Sequence, residues 1–164
     1  MAPISFSALN RRSISELDFP FLFDLYAGTR DKELSVIPWS PEQKHQFLLS
    51  QFQLQHAHYQ THFAGGEFSV ITLEDKPIGR LYYRWDANEL RLVDITLLPA
   101  YQRKGIGDFY LKQLMEDVTQ RAGCFLLHVE LNNPAREWYK RLGFTPKHDK
   151  GIYQEMQWLP NLNK

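Results

Sequence analysis

The sequence is poor in cysteine, has no excess of either charge and contains no long apolar run. Cys124 is the one cysteine, so no internal disulfide can form, which is typical of a reducing, cytoplasmic compartment. The 19 basic residues equal the 19 acidic ones, whereas nucleic-acid-binding proteins usually carry a basic excess or stripe. No apolar stretch approaches the roughly 20 residues that span a membrane, and no basic segment followed by an apolar one marks a signal peptide. We therefore expect a cytoplasmic protein that binds neither nucleic acid nor membrane.

The chain of 164 residues has the length of one domain. We find no repeat, low-complexity tract or linker, so we expect a single domain over residues 1–164. A chain of this size can bury a core without disulfides or a structural metal. His56, His58 and His62 lie close in sequence, but only the last two share a helix face. Because no cysteine or nearby carboxylate completes a zinc set, we predict no metal site.

The first half of the chain has a mainly helical pattern. Alternation predicts a strand near its start, and apolar residues at i, i+4 and i+8 predict a helix after it. Ser40 can cap a second helix in which Pro41 takes the first position and Gln43 completes a capping box. The predicted segments are a strand at 4–9, a helix at 15–26, a loop at 29–38 and a helix from 41 to about 62.

The second half is rich in strands. The segment from Cys124 to Leu131 is nearly all apolar, as expected for a strand that is covered on both faces. Asn133 and Pro134 fit the start of a short helix, and Gly143 its end. The predicted strands are 68–73, 78–84, 89–97, 124–131 and 153–159, and the predicted helices are 108–122 and 134–142. This order favours a mixed sheet with helices on its faces, an α/β (α+β layered) domain.

The most informative stretch is Gln102-Arg103-Lys104-Gly105-Ile106-Gly107, between a strand that stops at Pro99 and an amphipathic helix. Helix N-termini expose unpaired N–H groups and therefore bind anions. Gly105 and Gly107 would let the backbone approach a phosphate, and Arg103 and Lys104 add positive charge. The stretch lacks the pattern of a P-loop or of a dinucleotide-binding fingerprint. It predicts a cradle for a pyrophosphate.

Two motifs in register resemble the GNAT superfamily of N-acetyltransferases. Gln102-x-x-Gly105-x-Gly107 resembles the acetyl-CoA signature of that superfamily. Residues 127–144 resemble its strand, Asn-Pro-Ala loop and "Leu-Tyr-x-x-Leu-Gly-Phe" helix, and the N-terminal half looks like a bacterial subgroup of unassigned substrate. The resemblance implies a mixed, mostly antiparallel sheet of six to seven strands with about four helices. It also implies acetyl transfer from acetyl-CoA to a primary amine of a small molecule or a peptide, in a ternary complex.

The resemblance assigns the cofactor-binding residues and a general acid. The backbone of Ile95 and Leu97 would follow the pantetheine arm, with an N–H near Ile95 aimed at the thioester oxygen. Asn132 or Asn133 matches an asparagine beside the pantetheine. Tyr139 matches the general acid, and since thiol and tyrosine pKa values lie near 8.5 and 10, proton transfer would be nearly thermoneutral. The residues expected to hold the pyrophosphate are Gln102, Arg103, Lys104, Gly105, Ile106 and Gly107.

The general base is less well defined. One family position is occupied by Arg91, which cannot accept a proton, and strand alternation puts Asp94 on the opposite face. A second family position is His128, whose type of side chain suits proton acceptance at neutral pH, and Glu130 shares its face. His128 is either this base or a satisfied core histidine, and a water relay is a third alternative.

The acceptor site is predicted between the first two helices and the splayed strands, and its candidate residues are Glu130 and three residues on the inward stripe of the second helix. Gln51, Gln55 and Tyr59 would face a cavity there, or else lie at the edge of an apolar face. Two functions without catalysis compete with the enzyme: an acyl-CoA sensor and a protein-interaction module. Because homodimers are common among proteins of the superfamily that this chain resembles, a homodimer is a further expectation.

Overall fold

The computed structural model describes residues 3–161, which form a mixed sheet and helices. The helices are α1 Phe19–Leu34, α2 Pro41–His62, α3 Ile106–Gln120 and α4 Ala135–Arg141. The strands are β1 Leu9–Ser13, β2 Glu67–Leu73, β3 Lys76–Asp86, β4 Glu89–Leu97, β5 Cys124–Glu130, β6 Thr145–Lys150 and β7 Tyr153–Trp158. The strand order is β1-β2-β3-β4-β5-β7-β6, and β4 and β5 are parallel. The predicted mixed, mostly antiparallel sheet with four helices is confirmed.

The contacts within the chain define two compact units. The first contains the residues up to Leu81 together with Ile95–Gln102, and the second contains Tyr82–Asp94 together with the residues from Arg103 onward. The single domain over residues 1–164 stays a prediction. Within residues 3–161, no helix is both long and apolar enough to cross a membrane.

The core of the first unit joins α1, α2 and β2. Leu22 and Tyr26 of α1 and Phe52 of α2 pack with Val70 of β2, and the rings of Tyr26 and Phe52 lie 5.8 Å apart. Burying each side chain of this kind contributes about 1.5–3 kcal/mol. This packing explains why α2 is helical although its outer face is rich in glutamine and histidine.

The first strand begins later than its alternating pattern predicts. Residues 6–8 form a 3-10 turn, and β1 pairs with β2 in antiparallel register from Leu9 opposite Leu73 to Ser13 opposite Ser69. The predicted strand at 4–9 is therefore wrong over most of its length. Cross-strand pairing decided the position of β1, and a short alternating pattern carries no information about its partner.

The helix predicted at 15–26 is displaced toward the C-terminus. The carboxylate of Asp18 accepts hydrogen bonds from Nη1 and Nη2 of Arg12 and from the backbone N–H of Ser15, each at 2.8 Å. These bonds hold residues 16–18 in a 3-10 turn, and α1 follows with Pro20 in its first turn. The helix then continues through most of the predicted loop to Leu34, which is buried.

The second unit packs α3 and α4 on β5. Phe125, Leu127 and Val129 of β5 are buried, whereas His128 and Glu130 on the alternate face are exposed. The prediction that this strand is covered on both faces therefore fails over its second half. Antiparallel pairing with β7 holds β5 in the sheet, so a helix need not cover every residue of this strand.

The sequence pattern did not predict the strand β6. All six of its residues are exposed, and they include Pro146 and Lys147, which are uncommon in strands. It lies at the edge of the sheet, where proline and lysine are tolerated. The strand is defined by its pairing with β7, and the register of that pairing shifts between Pro146 and His148.

Candidate active site

The helix α3 begins without a side-chain cap. Its N-cap residue Gly105 has a φ of 84° and makes no side-chain capping bond, and Arg103 two residues earlier has a φ of 59°. Only glycine adopts the left-handed region at little cost, which explains Gly105. The N–H groups of the first turn therefore have no acceptor from a capping side chain. Arg103, Lys104 and Gly105 are exposed, so this turn can bind an anion.

Gln102 braces this loop from within the first unit. Its Nε2 donates a hydrogen bond of 2.9 Å to the backbone carbonyl of Leu97. This bond ties Gln102, the first residue of the loop, to the end of β4. Sequence reasoning grouped Gln102 with the phosphate ligands, and the structure adds this internal contact.

Gly107 lies against an indole ring. A Cβ on Gly107 would lie 2.9 Å from Cζ2 and 3.0 Å from Cη2 of Trp138, closer than side chains normally approach. Trp138 Nε1 also donates a 2.6 Å hydrogen bond to Oδ1 of Asp108 in the first turn of α3. Gly107 therefore has a packing role besides the predicted approach to a phosphate. Ile106, which was predicted with the loop, is buried in the core.

The parallel strands β4 and β5 pair over four residues only. The register runs from Glu89 opposite Cys124 to Leu92 opposite Leu127 and stops there, although both strands continue. Residues 93–97 of β4, including Ile95 and Leu97, are partly exposed. The β4–β5 ladder therefore does not use the backbone of β4 past Leu92, and the Leu97 carbonyl there accepts the bond from Gln102.

Tyr139 is buried on α4. Its ring lies 5.0 Å from that of Trp138 and 5.8 Å from that of Phe144. Burial raises the pKa of Tyr139, and the negative charge of Asp94 raises it further. The hydroxyl is therefore protonated at neutral pH but is a weaker acid than a free tyrosine. Transfer of this proton to a thiolate is therefore less favourable than transfer from a free tyrosine.

His128 is not a core histidine. Its side chain is 38% exposed, and its Nε2 lies 3.0 Å from Oε2 of Glu155 on β7. Sequence reasoning missed Glu155, because only the β5–β7 register places it opposite His128. Arg91 of β4 pairs with Leu126 of β5. Among residues 3–161, the Nη1 of Arg91 is buried without a hydrogen-bond partner.

The two asparagines differ in their contacts. Asn133 Oδ1 accepts a 2.9 Å hydrogen bond from the backbone N–H of Ala135, so Asn133 stabilises the turn before α4, although it is not the N-cap residue that was predicted. The helix is one residue shorter at each end than predicted, and Pro134 occupies the N-cap position. Asn132 is exposed.

The predicted acceptor residues of α2 contact a buried arginine. Gln55 Oε1 accepts a 2.9 Å hydrogen bond from Nη2 of Arg80, whose guanidinium lies 6.0 Å from the ring centre of Tyr59. Arg80 is 4% exposed, and Gln51 is partly buried. Gln55 and Tyr59 therefore have an internal partner, while Glu130 is exposed at the end of β5.

A cleft of about 550 Å³ opens at the start of α2. It is lined by Trp39, Glu42, Gln43, Gln46 and Phe47. None of the predicted acceptor residues lines it, so the cleft does not support that assignment. Across residues 3–161, no three histidine, cysteine or acidic side chains are grouped as metal ligands.

Comparison with known proteins gives a family and a fold. The model of the acetyltransferase (GNAT) family matches residues 25–144. The PaiA N-acetyltransferase of Thermoplasma acidophilum, solved with coenzyme A, is 18% identical and has a TM-score of 0.69 over 93% of this chain and 99% of that chain. The ribosomal-protein-S18-alanine N-acetyltransferase of Escherichia coli is 19% identical, with a TM-score of 0.57 over 95% and 98%.

A spermidine N-acetyltransferase chimera of Vibrio cholerae SpeG and hSSAT is 20% identical, with a TM-score of 0.59 over 93% of this chain and 95% of that chain. At such identities the likeness shows the fold alone. No curated protein matches the sequence.

Proposed function

Because the chain belongs to the GNAT acetyltransferase family, we propose that it transfers acetyl from acetyl-CoA to a primary amine by direct attack in a ternary complex. It is an acyltransferase that uses acetyl-CoA, which favours an enzyme over a sensor or an interaction module. The observation that carries the proposal is the uncapped start of α3 behind the left-handed residues Arg103 and Gly105.

The described residues fit the cofactor in two places. The N–H groups at the start of α3, with Arg103 and Lys104, suit a pyrophosphate. The backbone of Ile95 and Leu97, on the part of β4 past its last pair with β5, suits the pantetheine arm. The family resemblance also assigns Asn132 or Asn133 to the pantetheine. Acetyl-CoA, when bound, supplies a thioester carbonyl as the electrophile.

Tyr139 is the proposed proton donor. Its raised pKa keeps the proton on Oη throughout the neutral range, so the hydroxyl is always available to donate to a sulfur. The same raised pKa disfavours a lasting tyrosinate. We therefore expect Tyr139 to act through a hydrogen bond that becomes a proton transfer only as the thiolate forms.

His128 is the proposed proton acceptor. If its Nε2–H donates to the Glu155 carboxylate, Nδ1 carries the lone pair and can take a proton from the amine. Arg91 cannot take this role, because its guanidinium stays protonated.

The acceptor is a primary amine of a small molecule or a peptide. Proteins of the same fold include one named for spermidine and one named for an alanine of a ribosomal protein. A cytoplasmic location and a homodimer remain predictions.

The replacement Tyr139→Phe tests the mechanism. We expect kcat for acetyl transfer to fall by about 10²–10⁴-fold, the usual contribution of a positioned acid, while the Kd of acetyl-CoA stays within twofold. Tyr110→Phe is the matched control, because Tyr110 is also a buried tyrosine and lies on α3. The measurement is release of free CoA with a panel of amines. Full kcat in Tyr139→Phe would show that Tyr139 is not the acid.

A further inference from the structure

A buried carboxylate on β7 lies among four basic side chains. Glu155 Oε2 is 3.0 Å from Nε2 of His128, 3.6 Å from Nε2 of His148 and 3.8 Å from Nζ of Lys150. Glu155 Oε1 is 3.6 Å from Nζ of Lys147. All five residues belong to the second unit, and we call them the Glu155 cluster.

The register of three strands brings these side chains to one face. His128 of β5 and His148 of β6 both stand opposite Glu155 of β7. The register shift between Pro146 and His148 leaves Lys147 as an extra residue, which explains how it reaches the same carboxylate. The cluster is thus a product of strand pairing and is absent from any local pattern of the sequence.

The positive charge around Glu155 exceeds its single negative charge. Burial alone would raise its pKa, but the hydrogen bond from His128 and the positive charge of Arg91 and the histidines hold the pKa below its ordinary value. Glu155 is therefore ionised at neutral pH. Two lysine ammonium groups against one carboxylate leave an excess positive charge, even when both histidines are neutral.

The basic side chains of the cluster are open to solvent, and the carboxylate is not. The side chains of His128, Lys147, His148 and Lys150 are 38%, 44%, 46% and 58% exposed, whereas that of Glu155 is 6% exposed. A ligand on this face would therefore meet N–H donors first. Lysine carries three donors, so each ammonium keeps donors for a second anion after contacting Glu155.

The other carboxylates of this face lie at its margins. Glu89 at the start of β4 is 3.9 Å from Nη2 of Arg91. Glu130 lies at the far end of β5, two residues beyond His128. Among residues 3–161, Lys147 and Lys150 form their ion pairs with Glu155 and not with Glu89 or Glu130.

The cluster adjoins the place where β4 and β5 separate. The last pair is Leu92 opposite Leu127, and His128 is the next residue of β5. We propose that the Glu155 cluster selects an acceptor whose amine lies close to one or more carboxylates. This inference rests on the proposed function, since it gives that reaction its substrate class. An acidic amino acid and a peptide with an acidic N-terminal sequence share this chemistry.

A matched set of acceptors tests the proposal. The peptides begin with serine and continue with three glutamates, three glutamines or three lysines, and free glutamate and glutamine separate small acceptors from peptides. We expect kcat/KM to be at least tenfold higher for a carboxylate-bearing acceptor than for its amide counterpart, and lower for the lysine peptide. The preference should shrink in high salt, because screening weakens exposed charge pairs.

Variants of the two lysines connect the preference to the cluster. Lys147→Ala/Lys150→Ala should raise KM for the preferred acceptor at least tenfold and leave the amide counterpart within twofold. Lys147→Arg/Lys150→Arg should retain the preference, and Lys147→Glu/Lys150→Glu should reverse it. The control is Lys112→Ala, an exposed lysine of α3, which should change nothing. Unchanged acetyl-CoA affinity in each variant shows that it is folded.

The outcomes separate the two proposals. Equal kcat/KM for acidic, neutral and basic acceptors, or a preference that survives in Lys147→Ala/Lys150→Ala, would overturn the inference and leave acetyl transfer intact. If no acceptor is acetylated, the proposed reaction itself is wrong, and the substrate class with it.

Discussion

The helices α2 and α3 begin with opposite chemistry. At the start of α2, Ser40 Oγ accepts a 3.1 Å hydrogen bond from the N–H of Gln43, and Gln43 Oε1 accepts a 2.9 Å bond from the N–H of Ser40. At the start of α3, the N-cap residue Gly105 has no side chain and makes no capping hydrogen bond. A helix whose own residues satisfy its first turn is closed to anions. One that leaves its first turn open keeps its N–H groups for a ligand.

The largest predicted change in stability concerns Gly107. Gly107→Ala places a Cβ against Trp138, and overpacking of this kind costs about 1–3 kcal/mol in the free energy of unfolding, as measured in urea. Trp138→Leu should remove most of that penalty in a double-mutant cycle. Gly28→Ala on α1 is the control, since a Cβ there meets nothing within 4 Å. If Gly107→Ala unfolds like the parent but loses acetyl-CoA, the glycine serves the cofactor alone.

The closed start of α2 gives the converse prediction. Ser40→Ala removes a capping acceptor and should lower the free energy of unfolding by about 1 kcal/mol. The Kd of acetyl-CoA should stay unchanged, because this helix start is already satisfied. A higher Kd of acetyl-CoA in Ser40→Ala, at temperatures where the variant is fully folded, would contradict the proposed difference between the two helix starts.

The smallest predicted effect concerns the brace of the loop. Gln102→Ala removes the bond to the Leu97 carbonyl, which contributes about 1 kcal/mol, so the Kd of acetyl-CoA should rise about fivefold. Gln113→Ala, an exposed glutamine of α3, is the control and should leave the Kd unchanged. A Kd for Gln102→Ala equal to that of the control would mean that the loop holds its shape without this bond.

Local features of the sequence predicted the parts of the molecule that local chemistry determines. The capping box at Ser40, the bond from Ala135 to Asn133 before α4 and the strand–loop–helix at Gly105 all depend on neighbours within a few residues. The mixed, mostly antiparallel sheet followed from the order of the elements and from the family resemblance.

Features that depend on strand pairing could not be predicted in this way. β6 has no apolar alternation, and its position follows from β7 alone. Glu155 lies 27 residues after His128 and reaches it through the register. The contact of Trp138 with Gly107 likewise joins two helices that are distant in sequence. The raised pKa of Tyr139 depends on its burial, which no pattern around that residue reports.

The open start of α3 is tested most directly by calorimetric titration of acetyl-CoA into the parent protein, Gly105→Glu and Gly65→Glu. Gly65 is the matched control, because its φ of 83° nearly equals that of Gly105 and a Cβ there meets nothing within 4 Å. We predict saturable binding to the parent and to Gly65→Glu, and at least 100-fold weaker binding to Gly105→Glu. Equal affinities for the two variants would contradict the assignment of the pyrophosphate to this turn.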